Sequence, residues 1–278
     1  MTKTTEIDIS LDEVRAEPEV ALTQAEESRM KEMLDSNVFY GHVKSRTNPK
    51  MRSYIASTKS GVEVIDLLKT SGAVDRAAEA IKEKVRRGGT VLFVGTSSAA
   101  KFATKDVASR LMMPYVTQRW LGGTLTNFKT INTRVNHFKK LEEDKATGKL
   151  IKYTKKERLN IDIELLKFDR FMRGIEKMDK LPSIVVVADL GENEIVAREA
   201  RRMKIPVVGF VNTTGNPDLV DYSIPANDRN PKSVALILAY LEKAVTDGKQ
   251  MAVGDEQARA AKLAEDSARV AKQVPAGK

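Results

Sequence analysis

Short apolar runs alternate with longer amphipathic stretches through the middle of the chain, the pattern of a parallel sheet covered by helices. Val91-Leu92-Phe93-Val94 and Ile184-Val185-Val186-Val187-Ala188 are continuous apolar runs of strand length, and residues 206–211 repeat the form. Strands are also predicted over 62–66 and 114–117, with 222–225 as an edge strand. Helices are predicted over 73–86, where Val74, Ala77, Ala78, Ile81 and Val85 share a face ahead of Gly88-Gly89, and over 97–112 and 193–203. Another is expected over 231–246, opening with Pro231 at the first helical position. A helical pattern also covers 23–34, and the run from Phe39 to Met51 reads as an ordered loop punctuated by turn residues.

One connection breaks the rhythm. More than sixty residues separate the strand at Tyr115 from the strand at Ile184, several times what a crossover with its helix needs. Inside this insert Phe128, Ile131, Val135 and Phe138 fall at alternating spacings of three and four, as do Ile161, Leu165, Phe168, Met172 and Ile175. Gly148 lies between the two series, and Thr154-Lys155-Lys156-Glu157 is a capping box that starts the second helix. The pattern predicts an antiparallel helical hairpin whose helices, about 19 and about 24 residues long, would reach roughly 28 and roughly 36 Å. The plainer alternative is that both helices lie flat on the sheet; the narrow apolar seam and basic flanks favour an arm.

The expected organisation is an acidic flexible arm over 1–22, an α/β domain over 23–125 and 179–246, the hairpin insert over 126–178, and an Ala/Lys-rich tail over 247–278. Glu6, Asp8, Asp12, Glu13, Glu17 and Glu19 give the arm its sign.

Charge then narrows the function. With 47 Lys and Arg against 38 Asp and Glu, the formal charge is +9, which draws the chain to polyanions. No stretch approaches the roughly 20 apolar residues of a membrane span, and the first ten residues lack a secretory apolar core, so nucleic acid is the expected partner. The absence of cysteine removes thiolate chemistry, disulfides and cysteine-containing zinc sites, and is read as cytoplasmic. His42 and His137 lie far apart without a metal-ligand motif, so no metal is expected.

Two basic groups are candidates for RNA contact. Lys44, Arg46, Lys50 and Arg52 crowd the loop near Tyr40 and Tyr54, with Lys101 and the Arg119-Trp120 pair beyond. Lys129, Arg134, Lys139, Lys140, Lys155 and Lys156 stand on the insert among further basic residues. Such an arm neutralises phosphates and releases counterions. For any single residue an ordinary solvated face is the better assumption. Trp120 either stacks on an exposed base or packs to set the angle of the arm above the turn at Gly122-Gly123.

The enzymatic alternative is weaker. Doubly wound sheets bind ligands beyond the carboxyl ends of their strands, and Val94-Gly95-Thr96-Ser97 sits there. It carries neither the dinucleotide fingerprint nor the phosphate loop, so no cofactor and no small-molecule substrate are expected. Asp66, Asp189, Asp218, Asp221 and Asp228 are read as helix caps and turn residues instead of paired catalytic carboxylates. An RNA chaperone independent of any larger assembly is a third reading.

Gly41-His42, Asn48-Pro49-Lys50-Met51, Val94-Gly95-Thr96 and Arg119-Trp120-Leu121-Gly122-Gly123-Thr124-Leu125-Thr126-Asn127 follow one another in an order and spacing that resembles the bacterial small-subunit ribosomal protein S-two family. Leu181-Pro182, Ile205-Pro206, Asn216-Pro217-Asp218 and Ile224-Pro225-Ala226-Asn227-Asp228 continue the similarity, which covers roughly two hundred residues. The chain departs from the family at Ser97-Ser98, where a basic residue is usual, at Thr47, where an aromatic is, and after Asp228. The resemblance implies a flavodoxin-like doubly wound parallel sheet with an inserted antiparallel coiled-coil hairpin. It also implies a non-enzymatic, ribosome-bound protein that contacts small-subunit ribosomal RNA and neighbouring ribosomal proteins, including protein S-one, and that supports subunit assembly and translation.

Overall fold

The computed structural model describes Val14 and residues 23–273. Helix α1 (Gln24–Asp35) opens with a reciprocal capping box between Thr23 and Glu26. Strands β1 (Tyr40–Val43), β2 (Ile55–Lys59) and β3 (Val62–Ile65) then form a small antiparallel sheet in the order β1-β3-β2. Ser60 and Gly61, both with positive φ of 52° and 78°, make the two-residue hairpin between β2 and β3. This sheet corrects the sequence reading, which took residues 39–51 for loop and placed residues 62–66 in the parallel series. The polar Ala56-Ser57-Thr58 stretch of β2 hides the strand, because much of it faces water and carries no apolar run.

The principal sheet follows. Its five strands are β4 (Val91–Val94), β5 (Tyr115–Val116), β6 (Ile184–Val187), β7 (Val207–Val211) and β8 (Tyr222–Pro225), with helix α2 (Leu67–Arg86) ahead of β4. Every pairing is parallel and the spatial order is β5-β4-β6-β7-β8. Ranked along the chain, that is second, first, third, fourth, fifth, the doubly wound order of flavodoxin-like folds. Both faces are covered, which is why β4, β6 and β7 are apolar at every position. Alternate residues divide between two clusters. Val91, Phe93, Ile184, Val186, Val208, Phe210 and Ile224 meet α1, α2, α3 (Lys101–Arg110) and the closing helix. Leu92, Val94, Val185, Val187, Val207 and Val211 face the opposite side.

That opposite side is filled by α6 (Glu194–Arg202) and by the insert, whose helices are α4 (Phe128–Ala146) and α5 (Lys155–Met172). Ile131, Val135, Phe168, Met172 and Ile175, all from the expected seam, are buried in the second cluster beside Trp120 and Leu125. The inner turns of both helices therefore belong to the core. Further contacts join α4 to α5: Phe138 stacks on Phe168 with ring centroids 4.6 Å apart, and Lys145 pairs with Asp162 at 2.6 Å. The capping box at Thr154 and Glu157 forms as read, and α5 ends sooner than expected, after 18 residues. It gives way to a tight turn at Arg173–Ile175, where Gly174 lies so close to the Tyr115 carbonyl that no side chain would fit.

Of residues 1–22, the expected acidic arm, only Val14 is described, and it is fully buried in the first cluster. The closing helix α7 (Pro231–Gln273) continues well past Thr246. Gly248 allows it to approach α2, since a Cβ there would stand 2.8 Å from the Lys82 carbonyl oxygen. Lys249 Nζ donates to the Leu111 carbonyl at 2.5 Å, and Arg86 Nε donates to Asp255 at 2.7 Å. Helix α2 also starts earlier than predicted, because the buried Asp66 accepts from the Leu68 amide at 3.0 Å and caps it.

Candidate nucleic-acid interface

In a parallel sheet the loops after every strand emerge on one edge, and here Lys101, Arg119 and Trp120 follow β4 and β5 at that edge. The basic loop, residues 44–54, is fastened over the end of β7. His42 donates its amide to Thr213 Oγ1 at 2.8 Å, and the Asn48 amide donates to the Thr213 carbonyl at 2.8 Å. Gly41 is required at this seam, since a Cβ would meet Thr213 at 2.6 Å and the Glu63 carbonyl at 2.7 Å. Asn48 Oδ1 caps the following turn by accepting from the Lys50 amide at 3.1 Å, and Met51 drives into the second core cluster as a plug. The result is a rigid loop whose apolar residue points in and whose cations point out.

The second element is the segment after β5. Glu199, inside α6, accepts from the Trp120 indole Nε1 at 3.1 Å and from the amides of Gly123, Leu125 and Thr126 at 2.8, 3.1 and 3.3 Å. Burial pushes this carboxyl up, but the donors from Gly123, Trp120, Leu125 and Thr126 together outweigh it and hold the pKa below the usual value. One carboxylate thus shapes the whole approach to α4. Trp120 is only 6% exposed, so stacking on a base is excluded for it in this fold, and its role is the packing alternative. Glu199 escaped the sequence reading. Its signal was present: it shares the apolar stripe of Val196, Ala200 and Met203, where a charged residue needs a buried partner.

The third element is the crevice between β4 and β6, the topological switch point at which this strand order commonly takes a phosphate. Asp189 fills it. Its Oδ2 accepts from the amides of Thr96 and Ser97 at 2.8 and 2.6 Å, and its Oδ1 from Asn193 Nδ2 at 2.8 Å. The amides that would cradle an anionic ligand already hold the protein's own carboxylate. Burial pushes the Asp189 pKa up to about 6 against these hydrogen bonds. The other strand-end aspartates also act structurally: Asp221 accepts from the Val207 amide and Asp228 from Asn212 Nδ2, each at 2.8 Å.

The remaining candidates sort by their surroundings. Lys44, Arg46, Arg52, Arg119, Lys129, Arg134, Lys140, Lys155 and Lys156 are exposed, Lys139 is half-buried, and none has a carboxylate partner among the described residues. Lys50 pairs with Asp218 across the edge. Lys101 is half-buried, with Nζ 5.2 Å from the Phe102 ring centroid. The fold brings Lys44, Arg46, Lys50 and Arg52 onto one loop, leaves Lys101 at the start of α3 and Arg119 after β5, and distributes the others along α4 and α5. Among the described residues no group of three or more acidic or histidine side chains is placed to hold a metal, and no helix is long and apolar enough to cross a membrane.

Comparison with known proteins points one way. The family model described as Ribosomal protein S2 matches residues 33–248. A Rhodococcus erythropolis protein named small ribosomal subunit protein uS2 is 44% identical over 225 residues, covering 81% of this chain and 79% of that relative. The Nocardia farcinica protein of the same name is 44% identical with the same coverage. That of Mycobacteroides abscessus is 42% identical over 235 residues, covering 83% of this chain and 85% of its own length.

Proposed function

The chain belongs to the ribosomal protein S2 family, a family of structural and non-enzymatic ribosomal proteins, and on that premise we propose that it holds small-subunit ribosomal RNA through the basic edge of its sheet. Its place is the cytoplasmic small ribosomal subunit, where it supports assembly and translation. The loop carrying Lys44, Arg46 and Arg52 and the insert carrying Lys129, Arg134, Lys140, Lys155 and Lys156 are the contacting surfaces. Helices α4 and α5 act together as a coiled-coil hairpin arm whose basic flanks lie along phosphates. Neighbouring small-subunit proteins, protein S-one among them, complete its surroundings.

The observation that carries this reading is the contrast in pairing. Lys44, Arg46 and Arg52, with no carboxylate partner among the described residues, stand on a loop whose backbone is braced, which supports a counter-charge from outside the fold. Binding of that kind weakens as salt rises, with a slope proportional to the phosphates neutralised. The test is co-sedimentation of the full chain with small subunits over a salt series. Lys44→Glu, Arg46→Glu and Arg52→Glu together are expected to lower the salt slope by about 0.7–0.9 for each phosphate no longer neutralised. Wild-type chain found free in every fraction at physiological salt would sink the proposal.

A further inference from the structure

Phe102 leaves 74% of its surface in water, whereas the other seven phenylalanines are buried or half-buried. A lone exposed ring means little by itself; its setting gives it meaning. It stands in the first turn of α3 beside Lys101 and three residues before Lys105, which shares its helix face. Lys105 in turn lines a notch of about 150 Å³ between α3, β5 and the end of α5, with Tyr115 and Arg170 on its walls. The Arg170 guanidinium lies 5.4 Å from the Phe171 ring.

Lys101, Lys105 and Arg170 have no carboxylate partner among the described residues. The nearby acids are already engaged: Asp106 pairs with Arg110, and Asp169 with Arg173 at 2.7 Å. We propose that this corner of the edge is a nucleotide subsite, in which an unpaired RNA base stacks on Phe102 while its flanking phosphates lie against Lys101, Lys105 and Arg170. The subsite rests on the RNA-binding reading above and deepens it. A phenyl face accepts any base, and adjacent cations supply the backbone contact that holds a single strand in place. A protein partner fits less well, because Lys101 stands over the ring and the positions three and four residues on, Lys105 and Asp106, are exposed and charged where a protein-binding patch would be apolar.

Full-length variants bound to small-subunit ribosomal RNA, with base reactivity probed chemically, test the subsite. Phe102→Ala is expected to weaken binding roughly tenfold or more and to unmask one or two bases while the rest of the footprint stays. Phe102→Trp keeps the affinity, and RNA quenches its emission, which is separable because Trp120 is the only other indole and is buried. Lys105→Glu with Arg170→Glu weakens binding and flattens its salt dependence. If wild type binds RNA but Phe102→Ala changes neither affinity nor any base reactivity, the subsite is wrong and the RNA reading survives. Loss of a protein neighbour from the assembled particle with an unchanged base pattern would make the corner a protein contact and overturn the subsite. A wild type that binds no RNA at any salt removes both.

Discussion

The crevice between β4 and β6 and the basic loop of residues 44–54 lie on the same edge of the sheet and have opposite electrostatics. At the crevice the buried carboxylates have internal partners: Asp189 takes the amides of Thr96 and Ser97, and Glu199, in α6, takes those of Gly123, Leu125 and Thr126. At the loop the backbone is braced just as firmly, yet the charges of Lys44, Arg46 and Arg52 are left to solvent. The difference teaches that the edge is an internally paired scaffold where an enzyme of this fold would bind its ligand, and that the charges without carboxylate partners among the described residues stand further out, on side chains supported by it.

The sharpest way to break the comparison is at Glu199. Glu199→Ala strands the buried Trp120 indole, the buried Leu125 amide and the half-buried amides of Gly123 and Thr126, and is expected to cost about 3–5 kcal/mol in chemical denaturation, with an unstructured approach to α4. A loss under about 1 kcal/mol would mean the inner region is not self-braced. Asp189 gives the next effect, and its sign is unusual. Its folded pKa of about 6 lies above its ordinary 3.8, so the ionised form is disfavoured by folding, and stability rises as pH falls from 7 through 6 toward 4. The size is on the order of 2–3 kcal/mol. Glu199, held below its ordinary value, works the other way: its contribution is present above pH 4.5 and is lost as pH falls through its folded pKa. Denaturation midpoints measured from pH 7 to 3 should therefore pass through a maximum, and Asp189→Asn should flatten the limb between pH 4 and 6.

Smaller effects sharpen the outer region. Thr154→Ala removes one half of the capping box at the head of α5 and should cost about 1 kcal/mol, read as a lowered melting temperature. The triple replacement of Lys44, Arg46 and Arg52 by Glu should change stability by less than about 0.5 kcal/mol, because these side chains bury nothing. A large loss of stability there would show that the loop cations hold the fold instead of a partner.

Much of this was legible in the chain. The apolar runs at 91–94, 184–187 and 207–211 announced buried parallel strands, and the interval from Tyr115 to Ile184 announced an insert, because both follow from local period and length. Family membership was legible in the segment from Arg119 to Asn127. The small antiparallel sheet was not, since β2 is polar and pairs only because β3 lies beside it. Helical propensity was legible past Thr246, but not the attachment of that part of α7, which depends on Lys249 meeting Leu111 at the end of α3 and Asp255 meeting Arg86 of α2.

By itself, then, the sequence determined the class of the fold, the existence of the insert and the chain's own positive charge, because periodicity and net charge are properties of the chain. The tertiary structure alone decided that Trp120 faces inward, that Asp189 occupies the switch point and that Glu199 braces the segment leading to α4. These roles come from residues 70 to 100 positions apart meeting in a low-dielectric interior, where an unpaired donor or charge is costly and pairing is enforced.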